Sequence, residues 1–109
     1  MIYKNRPRPA HYDLYTQRST KLIRFPDHVT RMVNLNAFEW AVLNWMIDGE
    51  GLDLSNDILP AAWACASCFP DPENYVSFSI SGTLDEYVHT RVQERGPETV
   101  DFIIRNFAA

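Results

Sequence analysis

The stretch "YVSFSISG", residues 75–82, alternates between apolar side chains and mostly hydroxyl-bearing ones. The apolar parity holds Val76, Phe78 and Ile80, and the opposite parity holds Tyr75, Ser77, Ser79 and Ser81. An extended chain with this pattern buries one side and presents a row of polar groups on the other. We therefore predict a half-buried strand at this position, with a short polar ribbon on its outer side.

A strand followed by two helices is also predicted upstream. The stretch "HVTRMVNL" (28–35) alternates in a similar way. The stretch "NAFEWAVLNWMIDGEG" (36–51) has helical spacing, with Asn36 as a plausible N-cap and Gly51 as a stop. Residues 53–68 predict a second helix. The predicted order is therefore strand, helix, helix.

The same order follows the quoted strand. Residues 81–96 and 97–107 predict two helices, the second of which begins at Pro97. A shift of 45 positions lays the first series on the second without a gap and places Gly51 on Gly96. We interpret this as a duplication of one unit. The predicted segments are a basic arm at 1–27, a first unit at 28–68, a linker at 69–74 and a second unit at 75–109.

The repeated unit resembles the ribbon-helix-helix family of Arc/MetJ-type DNA-binding proteins. The resemblance is carried by "VSFSISGTLDEYVHTRVQERGPETVDFIIRNF" (76–107), and "HVTRMVNLNAFEWAVLNWMIDGEGLDLSNDIL" (28–59) is similar but looser. It implies a mainly α fold with a short antiparallel β-ribbon. Because a lone strand leaves both edges unpaired, two units must pair. Two tandem units imply a pseudo-dimer within one chain or a dimer of such chains.

The resemblance also implies a transcriptional regulator that lays its ribbon in the major groove of double-stranded DNA. The outward ribbon positions that would contact bases are Thr30, Met32, Asn34, Tyr75, Ser77 and Ser79. Phosphate contacts would come from the arm and from the starts of the second helices. These phosphate contacts are Lys4, Arg6, Arg8, Arg18, Lys21, Arg24, Ser55, Asn56 and Thr99.

The distribution of charge leaves an alternative open. Residues 1–27 hold six basic and two acidic residues, whereas residues 28–109 hold four basic and twelve acidic ones. A basic arm suits an anionic partner, or it is a solvated tail. The acidic body favours a protein-interaction module that has lost DNA binding, either antitoxin-like or a phage inhibitor of a host factor. An exposed tryptophan at 40 or 45 would mark such an interface.

The remaining motifs predict no metal, no cofactor and no catalysis. Cys65 and Cys68 have the C-x-x-C spacing, but the chain lacks a typical second pair of ligands, so we interpret them as two small buried residues. No nucleophile, base and acid follow a recognisable order, and no glycine-rich phosphate loop is present. No apolar run is long enough to span a bilayer, so a cytoplasmic protein is expected.

Overall fold

The computed structural model describes residues 12–108. Two strands form the only sheet in this part of the chain, which also contains five α-helices. The elements are α1 (Tyr12–Thr16), β1 (Arg18–Arg24), β2 (Thr30–Asn36), α2 (Ala37–Asn44), α3 (Leu59–Ala66), α4 (Val76–Arg95) and α5 (Glu98–Phe107). A π-helical turn, Trp45–Gly49, extends α2, and another, Leu54–Ile58, leads into α3. A 3-10 turn, Pro72–Tyr75, leads into α4. The predicted fold class, mainly α with a short antiparallel ribbon, is confirmed.

The ribbon is a local hairpin. β1 pairs antiparallel with β2, from Arg18 opposite Asn36 to Arg24 opposite Thr30. In the turn, the Phe25 amide donates to the Val29 carbonyl at 2.9 Å, and Asp27 Oδ1 accepts from the Val29 amide at 3.1 Å. A five-residue connection costs little closure entropy. The strand predicted at 28–35 is confirmed, and its partner is the segment directly before it.

The strand predicted at residues 75–82 is wrong, because this stretch enters α4. Val76, Ile80 and Leu84 are spaced four apart, so they lie on one face of a helix, and all three are buried. Phe78 falls on the opposite face and is 65% exposed. The alternating pattern thus coincides with a helical one, and the nearby β1 supplies the pairing that a distant strand was expected to supply.

The predicted helices are confirmed, and their ends follow local chemistry. Asn36 caps α2 in a capping box: its side chain accepts from the Glu39 amide at 2.7 Å, and the Glu39 carboxylate accepts from the Asn36 amide at 2.9 Å. α4 ends at Gly96, whose φ of 98° is the left-handed conformation that glycine favours. α5 then begins directly after Pro97.

The buried apolar residues form one cluster that draws on every element from β1 to α5. Trp40 and Trp45 are both buried, at 8% and 1% exposure, so neither is the exposed tryptophan that would mark a protein interface. Two different surroundings explain this, since Trp40 meets β1 at the Ser19 carbonyl, and Trp45 packs edge-on against Tyr87 of α4. Among the described residues, no helix is both long and apolar enough to cross a membrane.

Candidate nucleic-acid interface

The hairpin presents one solvated face, here called the ribbon face. Alternation along each strand sends Ile23, Val33 and Leu35 into the core and their neighbours outward. The register brings the outward side chains of both strands together. The ribbon face consists of Arg18, Thr20, Leu22 and Arg24 from β1 and Thr30, Met32 and Asn34 from β2. The parity predicted for the three β2 residues is therefore confirmed.

A hydrogen-bonded group occupies the end of the ribbon face near α1. Arg18 Nε donates to Asn34 Oδ1 at 2.6 Å, and Arg18 Nη2 donates to the Asn34 carbonyl at 3.1 Å. Asn34 Nδ2 in turn donates to Thr20 Oγ1 at 2.9 Å. These bonds orient the Arg18 guanidinium while donor hydrogens on both of its Nη atoms remain. Such a pair of donors matches the O6 and N7 acceptors of guanine.

The centre of the ribbon face is apolar. Leu22 and Met32 lie opposite each other across the strands and are 70% and 71% exposed. An apolar pair in this position suits a thymine methyl group in a groove or an apolar contact with another protein. At the turn end, Arg24 and Thr30 complete the face, and an Arg24 Nη2 lies 3.4 Å from His28 Nδ1.

The hairpin is basic within an acidic chain. Its two strands contain Arg18, Lys21, Arg24 and Arg31 and no acidic residue. The Lys21 ammonium sits 4.7 Å from the centroid of the Trp40 ring, at the inner side of β1. Residues 37–109 hold three basic and twelve acidic residues, within a chain of net charge −4. Among the described residues, the exposed positive charge is therefore concentrated on β1.

Arg31 anchors the hairpin and does not face solvent. Its guanidinium lies 4.2 Å from the Trp63 ring centroid and 4.7 Å from that of Phe25. Its Nη atoms donate to Asp27 at 3.0 and 2.8 Å, and Nε and Nη2 donate to Glu73, both at 2.9 Å. The hydrogen bond with Asp27, and to a lesser degree the one with Glu73, raises the pKa of Arg31. The same bonds lower the pKa of the Asp27 and Glu73 carboxyls. A cation thus occupies a position where the strand pattern predicts an apolar residue.

The base contacts predicted in the second unit do not lie on the ribbon face. Tyr75 stacks on Phe69, with ring centroids 4.0 Å apart. Ser77 Oγ accepts from the Asn34 amide at 2.9 Å, which fastens α4 to the edge of β2. Ser79 is 1% exposed, and its hydroxyl has no hydrogen-bond partner among the described residues. The helical course of this segment separates the three side chains.

The predicted phosphate contacts divide into three groups. Lys4, Arg6 and Arg8 lie outside the described residues, and Arg18, Lys21 and Arg24 come together along β1. The third group consists of Ser55, Asn56 and Thr99. The Asp53 carboxylate occupies the place of a phosphate there, since it accepts from the Ser55 amide at 3.0 Å and from Asn56 Nδ2 at 2.7 Å. Thr99 is buried, and its hydroxyl donates to the Gly96 carbonyl at 2.8 Å. Only β1 therefore presents a row of cations in this part of the chain.

The cysteines are exposed, contrary to the prediction that they are buried. Leu59, Ala62 and Ala66 form the buried side of α3, and Cys65 falls off that side. Within residues 12–108, no group of three or more histidine, cysteine, aspartate and glutamate side chains is placed to hold a metal ion.

Comparisons with protein-family models, with curated proteins and with solved structures gave no match for this chain. The candidate site therefore rests on the geometry of the hairpin alone. Sequence reasoning missed Thr20 and Leu22, because "RSTKLIR" (18–24) places the polar Ser19 and Lys21 on the inner side and so lacks a clear apolar alternation.

Proposed function

We propose that this chain is a small DNA-binding regulator whose β1–β2 hairpin lies in the major groove of double-stranded DNA. The observation that carries the proposal is a two-stranded ribbon with three exposed basic residues, Arg18, Lys21 and Arg24, and no acidic residue in either strand, in a chain of net charge −4. The manner of binding is that of the ribbon-helix-helix family, with the ribbon formed by neighbouring strands of one chain.

The dimensions of the hairpin support this placement. Strands of seven residues span about 23 Å, and a two-stranded ribbon fits a major groove about 12 Å wide. Arg18 and Asn34 would read base edges, and Met32 with Leu22 would contact thymine methyl groups. Lys21 and Arg24, together with the arm that holds Lys4, Arg6 and Arg8, would contact phosphates.

The acidic body supports the orientation of this complex. DNA repels the twelve carboxylates of residues 37–109 and attracts the hairpin, so an encounter favours the ribbon face. A homodimer of such chains would present two ribbons to two half-sites.

The test is a titration of labelled duplexes by fluorescence anisotropy from about 50 to 200 mM salt. The probes are sites enriched from a random duplex pool and an unselected duplex. We expect the double variant Lys21→Ala/Arg24→Ala, which removes two phosphate contacts, to reduce the slope of log affinity against log salt by about 1.8. Arg105→Ala is the matched control, since this exposed cation lies on α5. Equal slopes for the double variant and the wild-type protein would refute placement of the ribbon on DNA.

Base reading has a separate readout. Asn34→Ala removes the group that orients Arg18, so we expect it to lower the preference for the enriched site by about 1–3 kcal/mol while unselected duplex binds as before. An unchanged preference would show that the ribbon contacts the DNA backbone only.

A protein-interaction module is the second candidate, and the exposed Leu22 and Met32 pair favours it. Apolar side chains at the centre of a face commonly mark a protein interface. Capture of a partner from host lysate, with and without nuclease, distinguishes the two candidates. Recovery of one stoichiometric protein after nuclease treatment, lost in Leu22→Ser/Met32→Ser, would favour the interaction module.

A further inference from the structure

Within residues 12–108, the outer edge of β1 has backbone groups without a hydrogen-bond partner. Hydrogen bonds from the Phe25 amide to the Val29 carbonyl and from the Ala37 amide to the Gln17 carbonyl close the two ends of the ladder. Because bonded pairs alternate along antiparallel strands, the odd-numbered residues of β1 bond to β2. The amide and carbonyl groups of Thr20, Leu22 and Arg24 therefore point away from it.

The β2 edge of the hairpin is covered by α4, whereas the β1 edge is exposed. At β2, the Asn34 amide donates to Ser77 Oγ, and α4 packs beside the strand. Along β1, every side chain except Ile23 is exposed. Among residues 12–108, no hydrogen bond reaches the outward amides of β1. An open edge of this kind is a template for a further strand.

We propose that the β1 edge binds an extended acidic segment of a partner protein as a third, antiparallel strand. This mode of recognition draws affinity from main-chain hydrogen bonds and specificity from alternate side chains. It uses the edge of β1 and is independent of whether the ribbon face binds DNA. The charge on the edge identifies the partner, since Arg18, Lys21 and Arg24 line β1 and no acidic residue does.

The same charges disfavour the other occupants. A second copy of β1 paired antiparallel and centred on Lys21 would place Lys21 opposite its own copy and each Arg18 opposite an Arg24, and like charges placed opposite each other are destabilising. The first eleven residues of the chain carry Lys4, Arg6 and Arg8 and no acidic residue, so they offer no complement either.

The register of β1 predicts the pattern of the partner. Residues opposite Arg18 and Arg24 lie six positions apart on the ribbon side, and the residue opposite Lys21 lies midway on the other side. Carboxylates at the first, fourth and seventh positions of the segment would meet all three cations. An apolar residue opposite Leu22 would extend the apolar centre of the face.

The probe is a labelled seven-residue peptide, capped at both ends, with glutamate at the first, fourth and seventh positions and valine or threonine between. A matched peptide carries N-methyl groups on the residues whose amides would face β1, which keeps the charge and removes the donors. We expect the parent peptide to bind and to shift the amide resonances of Thr20, Leu22 and Arg24. N-methylation should weaken binding by about tenfold or more.

The protein variant Leu22→Pro removes one outward amide without removing a ladder bond, and Leu22→Thr is its control. We expect a loss of about fivefold for proline and a smaller effect for threonine. If Leu22→Pro does not fold, the N-methylated peptide decides the question alone. Equal binding of both peptides, or no binding of the parent at about 1 mM, would overturn the proposal. Self-association that shifts the same amides would instead identify a second copy as the occupant and overturn the acidic partner.

Discussion

Replacement of Arg31 by methionine tests how the hairpin is held on the body. Methionine keeps an unbranched apolar chain between Phe25 and Trp63 but removes the guanidinium from both rings. Each ring contact is worth about 0.5–1 kcal/mol, so their loss amounts to about 1–2 kcal/mol. We therefore expect Arg31→Met to lower the free energy of unfolding by about that amount.

An opposing effect must be weighed against this loss. A buried ion pair replaced by an apolar residue is often neutral or stabilising, because charges no longer need to be desolvated. Here the side chains of Asp27 and Glu73 are 46% and 58% exposed and remain hydrated, so only the arginine is desolvated. A guanidinium is also weakly hydrated, which makes that cost small. The ring contacts and hydrogen bonds should therefore decide the sign.

Urea unfolding followed by circular dichroism gives the measurement, with two further variants as controls. Arg31→Ala also loses two methylene groups, at about 0.8 kcal/mol each, so it should cost about 3 kcal/mol in total. Arg31→Lys keeps the charge but not the planar fork, so it should resemble methionine more than the wild-type protein. If Arg31→Met unfolds at the same urea concentration as the wild-type protein or a higher one, the anchoring role of Arg31 is wrong.

The pH dependence provides an independent check. Arg31 lowers the pKa values of Asp27 and Glu73 from their ordinary 3.8 and 4.5. A carboxyl whose pKa is depressed on folding contributes stability above its ordinary pKa and loses it as the pH falls through the folded value. The wild-type protein should therefore lose stability more steeply below about pH 4.5 than Arg31→Met does. Parallel profiles would contradict the ion pairs.

Three further changes follow from single contacts. Ser79→Ala should raise the free energy of unfolding by about 1 kcal/mol, because it removes a buried hydroxyl with no partner, and a loss of stability in urea would contradict this. Asn36→Ala should cost about 1 kcal/mol through the lost cap of α2, whereas Asn36→Asp should retain most of it, as thermal unfolding would show. Glu50→Gln removes the ion pair with Arg95 and should lower the free energy of unfolding by about 1 kcal/mol. The effect is this small because Arg95 is half exposed, so solvent screens the pair. The hydrogen bond from Arg95, followed by those from Tyr87 and Arg91, lowers the pKa of Glu50. The stability contributed by these bonds should therefore be lost below about pH 4.5 in the wild-type protein, whereas Glu50→Gln should show no such loss.

The helices were predictable because each has a local signal. Asn36 with Glu39 three positions later specifies the start of α2, and Pro97 specifies the start of α5. The stretch at 75–82 was not predictable in the same way, since its residues satisfy two periods at once. Whether this stretch forms a strand or a helix depends on which segment pairs with β2. That partner is β1, whose apolar alternation is weak.

The candidate site was predictable only where it depends on the alternation within one strand. Parity alone placed Thr30, Met32 and Asn34 on the outer face of β2. It did not reveal that Arg18 lies on the same face and bonds to Asn34, because that contact depends on which segment pairs with β2. Arg31 occupies a position where the strand pattern predicts an apolar residue. Its burial depends on contacts with Asp27, Glu73 and the rings of Phe25 and Trp63, and the sequence does not show that these residues lie together.

The face and the edge of β1 share their cations, and this connects the two proposed partners. Arg18 and Arg24 would contact DNA through the ribbon face and carboxylates through the edge, and one guanidinium cannot fully serve both. A third strand would also broaden the ribbon by about 4.8 Å, beyond what the major groove admits beside a two-stranded ribbon. An acidic strand on β1 would therefore displace DNA even though it does not cover the ribbon face. The open edge of the hairpin would then be the place at which a partner protein releases the chain from DNA.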